Sequence, residues 1–424
     1  MCRIIFMSSL LFVLSSNSVL AKNPGNANMN PLTSIKANLT FNCVHEIIPA
    51  PSRDTQMLFE YARWLQKAHQ LKPNEFANLE VERLYRIAAE NGHFKANINL
   101  QNGAIRRQFK IDGEEHLRLS QDLIAGGVAT GYYFVSTFLK DGTAGLEPDP
   151  EMALRYLRKA ADHGHAQSQA YLGDKLAPRD IAPSVARQMR RCAAAQGNGD
   201  AAIALGINLA TEGLYQEALQ AFQLGVAAGD EFSASFLEHG FRGPAPEDRL
   251  DYLGQQKDLK RAERYETIGR VLGNYSYANP TVPEINEIVP LPPAELPEWD
   301  GKLQWLEARL ANIPPEKPGE ALITQLANAK KLDPATGKPL PGSPAFSQAN
   351  FPVRIRYTGE ACPQSGYWKV IWPPVRAVQK VVIQHFEQGD IFPLQAVERY
   401  HIRPWPLSDK TSRRDEVVKW GLLG

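Results

Sequence analysis

His163-Gly164-His165 sets two imidazoles two residues apart, a spacing that could offer a metal ion two nitrogen ligands. The position after Gly164 is also where His93 follows Gly92, while Val128, Asn198 and Asp230 follow the corresponding glycines at 127, 197 and 229. A valine cannot ligate a metal, so residues that simply shape a turn explain the whole set better than a site does. Cysteine chemistry is equally sparse. Cys2 precedes the first apolar run; Cys43, Cys192 and Cys362 remain, an odd number that allows at most one internal disulfide. Cys362 lies beside Pro363 and near aromatics with no identifiable base, which favours a structural or free thiol over a nucleophile. The chain carries no Gly-rich phosphate loop, nucleophile elbow, H-E-x-x-H or CxxC pair. Asn38-Leu39-Thr40 and Asn274-Tyr275-Ser276 are glycosylation sequons only in a eukaryotic secretory pathway. The residues therefore imply no catalytic group, cofactor or metal; binding, not catalysis, is the expected function.

The elements that would support binding are marked by Gly92, Gly127, Gly164, Gly197 and Gly229, which recur at steps of 35, 37, 33 and 32 residues. Three positions before each stand Ala89, Ile124, Ala161, Ala194 and Val226. Four after stand Ala96, Gly131, Ser168, Ala201 and Ser233, and eight after stand Leu100, Val135, Leu172, Leu205 and Leu237. A period of about 34 residues holding two helices is the signature of a solenoid whose hairpins bury their apolar faces by stacking. In the clearest copy Asp149 is placed to cap a helix begun by Pro150, with Ala153, Tyr156 or Leu157, and Ala160 or Ala161 on one stripe. Gly164 ends that helix in a left-handed C-cap, and small residues let the next helix approach closely.

These residues resemble the Sel-like repeat, a relative of the tetratricopeptide repeat. Gly142 to Gly173 and Leu84 to Gly92 match its pattern well, whereas the copies at Gly127, Gly197 and Gly229 are degenerate. The resemblance covers about residues 55 to 245. Some exported members pair cysteines within every repeat and are linked to β-lactam binding; this chain lacks those pairs.

Met1 to Ala21 carries Arg3, a mostly apolar run from Ile4 to Leu14, polar Ser15 to Ser18 and then Val19-Leu20-Ala21, with cleavage expected after Ala21, the organisation of a secretory signal peptide. The run is shorter than the roughly 20 residues that cross a bilayer, which disfavours a transmembrane reading. With 47 Lys+Arg against 46 Asp+Glu, bulk charge argues against nonspecific binding to nucleic acid or anionic membranes, and leaves room for local patches.

Beyond the repeats, Asp258 to Arg270 reads as a helix that caps the stack, with Leu259, Ala262, Tyr265 and Ile268 on one stripe. Residues 279–301 are too proline-dense for a helix or central strand and are expected to run extended, either as a strap on the protein's own surface or as a PxxP ligand. Short helices are expected near Leu303 to Ala311 and Glu320 to Lys331. From about Phe351 the period becomes two, with strand candidates around Val353 to Tyr357, Tyr367 to Trp372 and Val378 to Phe386, implying a small antiparallel barrel or sandwich. The strings IVPLPPAELPEWDG and DPATGKPL resemble a domain of unknown function found behind Sel-like repeats. The stretch from Gly359 to Trp405 resembles a C-terminal module on bacterial toxin-immunity proteins.

The expected organisation is a mainly α protein: signal peptide 1–21, extended segment 22–54, an α-solenoid of Sel-like, tetratricopeptide-like hairpins over 55–245, a helical cap and Pro-rich domain over 246–345, and a β-rich module over 346–424. Tetratricopeptide geometry, applied to the register, places Lys95, Tyr133, Thr137, Lys140, Gln167, Asp174, Asp200, His239 and Arg242 on a concave partner-binding face. The resemblance implies a periplasmic immunity protein of a Gram-negative bacterium that neutralises a type VI secretion effector, a phospholipase, by stoichiometric binding. An envelope scaffold is the alternative, and an enzyme of the β-lactam-binding kind a third reading that the missing cysteine pairs disfavour.

Overall fold

A computed structural model describes residues 40–70, 74–345, 355–363, 366–372, 382–403, 408 and 410–422. The expected signal peptide lies outside the described residues. Twelve helices form six antiparallel hairpins: α1 (Arg53–Ala68) with α2 (Glu75–Glu90), α3 (Phe94–Ile105) with α4 (Gly113–Ala125), α5 (Thr130–Asp141) with α6 (Pro150–Asp162), α7 (Ala166–Leu176) with α8 (Pro183–Ala195), α9 (Gly199–Thr211) with α10 (Tyr215–Ala228), and α11 (Glu231–Phe241) with α12 (Leu259–Asn274). This is the Sel-like architecture implied by the glycine register. All five register glycines follow the second helix of a hairpin with positive φ, from 76° at Gly127 to 102° at Gly164. The residues four and eight positions later are buried at every copy, so the register marks the packed side of each first helix. Gly206 and Gly225 show why small residues recur: a Cβ on either would come within 2.5 Å of Phe222 or Ser233 on the facing helix.

In four of the five copies the position after the glycine is the N-cap; after Gly127 the N-cap is Ala129. His93 Nδ1 accepts from the Ala96 amide (3.1 Å), His165 Nδ1 from Ser168 (3.2 Å), Asn198 Oδ1 from Ala201 (2.8 Å) and Asp230 Oδ1 from Ser233 (2.6 Å). This explains the variety of residues there: imidazole, amide and carboxylate all supply an acceptor. Val128 cannot, and its role is taken from elsewhere in the chain. Glu46 Oε1 accepts from the Thr130 amide at 2.6 Å and from its hydroxyl at 2.8 Å.

Glu46 belongs to a segment without regular secondary structure, 40–50, that packs on the middle hairpins. Phe41 buries among Leu157, Leu172 and Met189, Ile48 packs near Phe134, and the Glu46 amide donates to Gln196 Oε1 at 2.9 Å. A disulfide joins Cys43 to Cys192 of α8 across 149 residues. The odd cysteine, Cys362, is buried in the C-terminal module.

The hairpin packing runs past residue 245 to the end of α12, where Ala262, Tyr265 and Ile268 are buried as expected. Leu259 is instead 45 % exposed in the first turn, and Leu272 completes the stripe. The proline-rich segment differs from its expected extended course in one place. The proline-free run before Pro290 closes a single helical turn, α13 (Ile285–Ile288), whose Ile285 and Ile288 join Val282 and Val289 in the core of α10–α12. Arg264 donates to the Ile288 carbonyl (2.6 Å), and Gln223 to that of Val289 (2.8 Å). The prolines thus form an intramolecular strap. After α14 (Gln304–Ala311), the chain returns to the first hairpin, where α15 (Glu320–Ala329) buries Ile323 and Ala327 against Leu58, Val81 and Leu84.

The C-terminal module holds β1 (Ile355–Tyr357), β2 (Gly366–Ile371), β3 (Ile383–Phe386), β4 (Gln395–His401), β5 (Lys410–Glu416) and β6 (Lys419–Leu422). A four-stranded antiparallel sheet has the order β1-β6-β2-β3, and β4 and β5 form a separate antiparallel ribbon. Trp368, Phe386, Phe392 and Trp420 fill its core. Residues 351–354 and 378–381 of the expected strands lie outside the described residues. Lys369 of β2 forms an ion pair with Asp149, the cap of α6, tying this module to the solenoid.

Candidate protein-binding face

The first helices of the hairpins, α1, α3, α5, α7, α9 and α11, bury one side in the stack and carry exposed residues on the other. Eight of the nine expected binding residues stand on these helices, and Arg242 caps the last. Lys95, Lys140, Gln167, Asp174, Asp200, His239 and Arg242 are exposed. Several are already engaged: Asp174 with Arg190 at 2.6 Å, Arg242 with Glu238 at 2.8 Å and Glu266 at 3.0 Å, and Gln167 with Asn198 at 2.9 Å. Among the described residues Lys140 reaches only Asp141, at 3.9 Å, and its side chain is 71 % exposed. Tyr133 is half-buried instead, its ring stacked on His165 at 4.5 Å, and its carbonyl takes the Thr137 hydroxyl at 3.2 Å. Tyr133 ties one repeat to the next, Thr137 back-bonds within its own helix, and both are half-buried.

The histidines of the register serve the scaffold. Burial lowers the His93 and His165 imidazoles to about 4, and that of His116, stacked on Phe138, likewise. Each is therefore neutral at pH 7, the state in which a ring nitrogen can accept the capping bond. Cys43, His45 and Cys192 bring their donor atoms within 4.8 Å of one another, but the two sulfurs are joined as a disulfide, which removes both thiolates as metal ligands. Arg86, fully buried, is held by Glu82 (2.9 Å), Glu115 (2.7 Å) and the Lys110 and Thr336 carbonyls; this links α2, α4 and the turn after α15.

The register does not reach the head of the solenoid. There α1 and α3 enclose a polar cleft of about 390 Å³ lined by Arg63, Lys67, Asn99, Asn102 and Arg106. Lys95 lies on the same stripe of α3 as Asn99, Asn102 and Arg106, so this cleft continues the expected face. Helix α1 precedes the first register glycine, which is why the spacing rule nominated none of its residues; the Arg63/Lys67 pair, one turn apart, was the available signal. Among the described residues no helix is long and apolar enough to cross a membrane.

A family model described as a domain of unknown function, DUF6396, matches residues 233–340, from inside α11 to the turn after α15. No curated protein matches the sequence. In fold the chain is similar to the immunity protein PA5088 from Pseudomonas aeruginosa, at 24% identity over 60% of this chain and 94% of that one, with a TM-score of 0.47. It is also similar to the immunity protein Pa5087 of that organism (22% identity, 60% and 95% of the two chains, TM-score 0.44) and to a Sel1 repeat protein from Oxalobacter formigenes (18% identity, 51% and 87%, TM-score 0.38).

Proposed function

We propose that this chain is an exported binding protein of the immunity type, which captures a toxic secreted effector one-to-one and blocks it. The effector class we infer is a phospholipase, and the compartment the periplasm. The observation that carries the reading is the division of labour in the hairpins: second helices, caps, disulfide and straps hold the stack, leaving the first-helix face from Lys95 to Arg242 to meet a partner. The sequence resemblance to exported immunity proteins supplies the choice of effector. A rigid curved surface seated over a lipase active site or its membrane-docking face would stop lipid hydrolysis without chemistry of its own, so protection is stoichiometric.

The test is co-expression of the exported chain with a candidate secreted phospholipase effector, active or catalytically dead, followed by survival counts and affinity capture of the dead form. Protection with a one-to-one complex supports the reading. Survival no better than an empty vector, with only cell-envelope machinery captured, overturns it in favour of a scaffold.

A further inference from the structure

A second cleft, of about 560 Å³, opens where α1 faces α14, lined among others by Phe59, Arg63, Trp64, Lys67, Trp305 and Arg309. It shares Arg63 and Lys67 with the polar cleft between α1 and α3, so the two form one continuous groove. Its charge is one-sided in a chain whose total is nearly balanced. Arg63, Lys67, Arg106, Arg107 and Arg309 line it, and none forms an ion pair with a carboxylate among the described residues. Elsewhere on the surface arginines are paired repeatedly, as Arg187 is with Glu212, Arg191 with Glu217 and Arg242 with Glu238. One carboxylate lines the groove, Glu60; it accepts from the Gln56 amide at 2.8 Å, which does not neutralise it, but forms no ion pair with these cations among the described residues, so the lining stays net positive. Burial, then the neighbouring Arg63 and Arg309, lowers the Lys67 ammonium from its ordinary value, the mark of cations crowded without a counter-charge. Arg309 is held in place by aromatic faces, 5.4 Å from the Tyr277 ring, 5.6 Å from Trp305 and 6.0 Å from Tyr275.

We infer that this groove is a binding site for an acidic, extended segment of a protein partner, its carboxylates met by Arg63, Lys67, Arg106 and Arg309 and an apolar side chain seated beside Trp64, Trp305 and Ile313. Charge complementarity selects the sign of the occupant. On the groove wall the Asn102 amide can donate to and accept from a peptide backbone, and the Asn99 carbonyl oxygen can accept from one, although the Asn99 amide already donates to Tyr85 at 3.3 Å. The recessed shape between helices excludes the flat face of a bilayer, and Ile313, 78 % exposed, gives an apolar anchor a partner. The inference deepens the proposed function by naming what the partner presents, and it rests on that reading only for the partner's identity.

The test uses the full mature chain and fluorescence anisotropy with a labelled peptide of glutamates around one central tryptophan, alongside its glutamine counterpart, a single-stranded oligonucleotide and phosphatidylglycerol vesicles. The acidic peptide is expected to bind at low salt, to weaken as salt is raised, and to outcompete the glutamine form. R63Q/K67Q and R309Q are each expected to weaken it about tenfold or more, whereas K260Q on α12 leaves it unchanged. Circular dichroism melts that match the parent show that the variants fold. No binding of the acidic peptide, binding unaffected by R63Q/K67Q and R309Q in folded protein, or tighter binding of the oligonucleotide or the vesicles each overturns the inference. The survival assay separates the two claims: protection retained without peptide binding sinks the groove alone, and peptide binding without protection sinks the immunity reading alone.

Discussion

Gly164 and Gly197 hold the same place in consecutive repeats, and substituting each with alanine isolates what the N-terminal segment contributes. Gly197 has φ 82° and nothing within 4 Å of where an alanine methyl would sit, so Gly197→Ala bears only the left-handed backbone cost, about 1–2 kcal/mol. Gly164 has φ 102°, and its methyl would fall 2.4 Å from the Glu46 nitrogen and the His45 carbonyl carbon. Neither is a flexible side-chain end, so the segment must retreat. Retreat breaks the Glu46 amide bond to Gln196 (2.9 Å), the Gln169 bond to the Val44 carbonyl (2.9 Å) and the Glu46 carboxylate cap on Thr130. At about 1 kcal/mol for each of the two neutral bonds and about 1.5–3 for the bond to a charge, Gly164→Ala should cost about 3.5–5 kcal/mol more than Gly197→Ala. The disulfide at Cys43 prevents a clean release and keeps the strain in the fold. Urea unfolding gives the difference, and native-state hydrogen exchange locates it: in Gly164→Ala the amides at the start of α5 should lose protection, with those of α11 unchanged. Equal costs for the two variants, or equal protection at Thr130, would refute the clamp.

Three further outcomes follow from the same contacts. Cys43→Ser removes a cross-link spanning 149 residues, for which loop-closure entropy gives about 5 kcal/mol; its melting temperature should fall and should coincide with that of the parent under dithiothreitol, and a parent indifferent to reduction would contradict this. His93, His116 and His165 titrate near 4 when folded against 6.5 ordinarily, so between those values the unfolded chain takes up protons that the folded one refuses. Stability should therefore be full above pH 6.5 and drain as pH falls toward 4, and His165→Asn, which keeps an acceptor at the cap, should flatten part of that slope in a pH series of melts. Arg86→Met leaves Glu82 and Glu115 facing each other in the core and should cost about 3–5 kcal/mol in urea unfolding, much of it recovered when both are also made glutamine; no recovery would mean that Arg86 acts through packing alone.

The repeat was legible because its physics is local. A glycine with positive φ, a small residue where two axes cross and an apolar residue one turn on are demands made within a dozen residues, and each admits few residue types. The capping slot was legible as a turn, though its unity became plain only with the structure: His93, His165, Asn198 and Asp230 share an acceptor, and Val128 has its function supplied by Glu46 from 82 residues upstream. No spacing rule reaches that far. The same limit hid the pairing of Cys43 with Cys192 among three cysteines and the return of α15 to the first hairpin, where Arg83 meets Glu320. It also hid β5, whose Lys410–Glu416 residues are all polar because the ribbon it forms with β4 buries so little of it. Tyr133 was misplaced for a related reason: the offset rule sees a position on one helix, while the side chain is claimed by the capping histidine of the next repeat. The groove at the head of the solenoid combines both kinds of information. Arg63 and Lys67, four residues apart, look like any solvated helix face. What converts them into a site is Arg309, brought from more than 240 residues away and fixed on three aromatic rings, so that positive charge outweighs the single lining carboxylate, Glu60, which forms no ion pair with it among the described residues. Mutual repulsion of this kind works against the folded state, and a partner's carboxylates would relieve it; substituting Arg63 or Lys67 by glutamine should for the same reason leave the free protein as stable as the parent, or more so, while weakening what it holds.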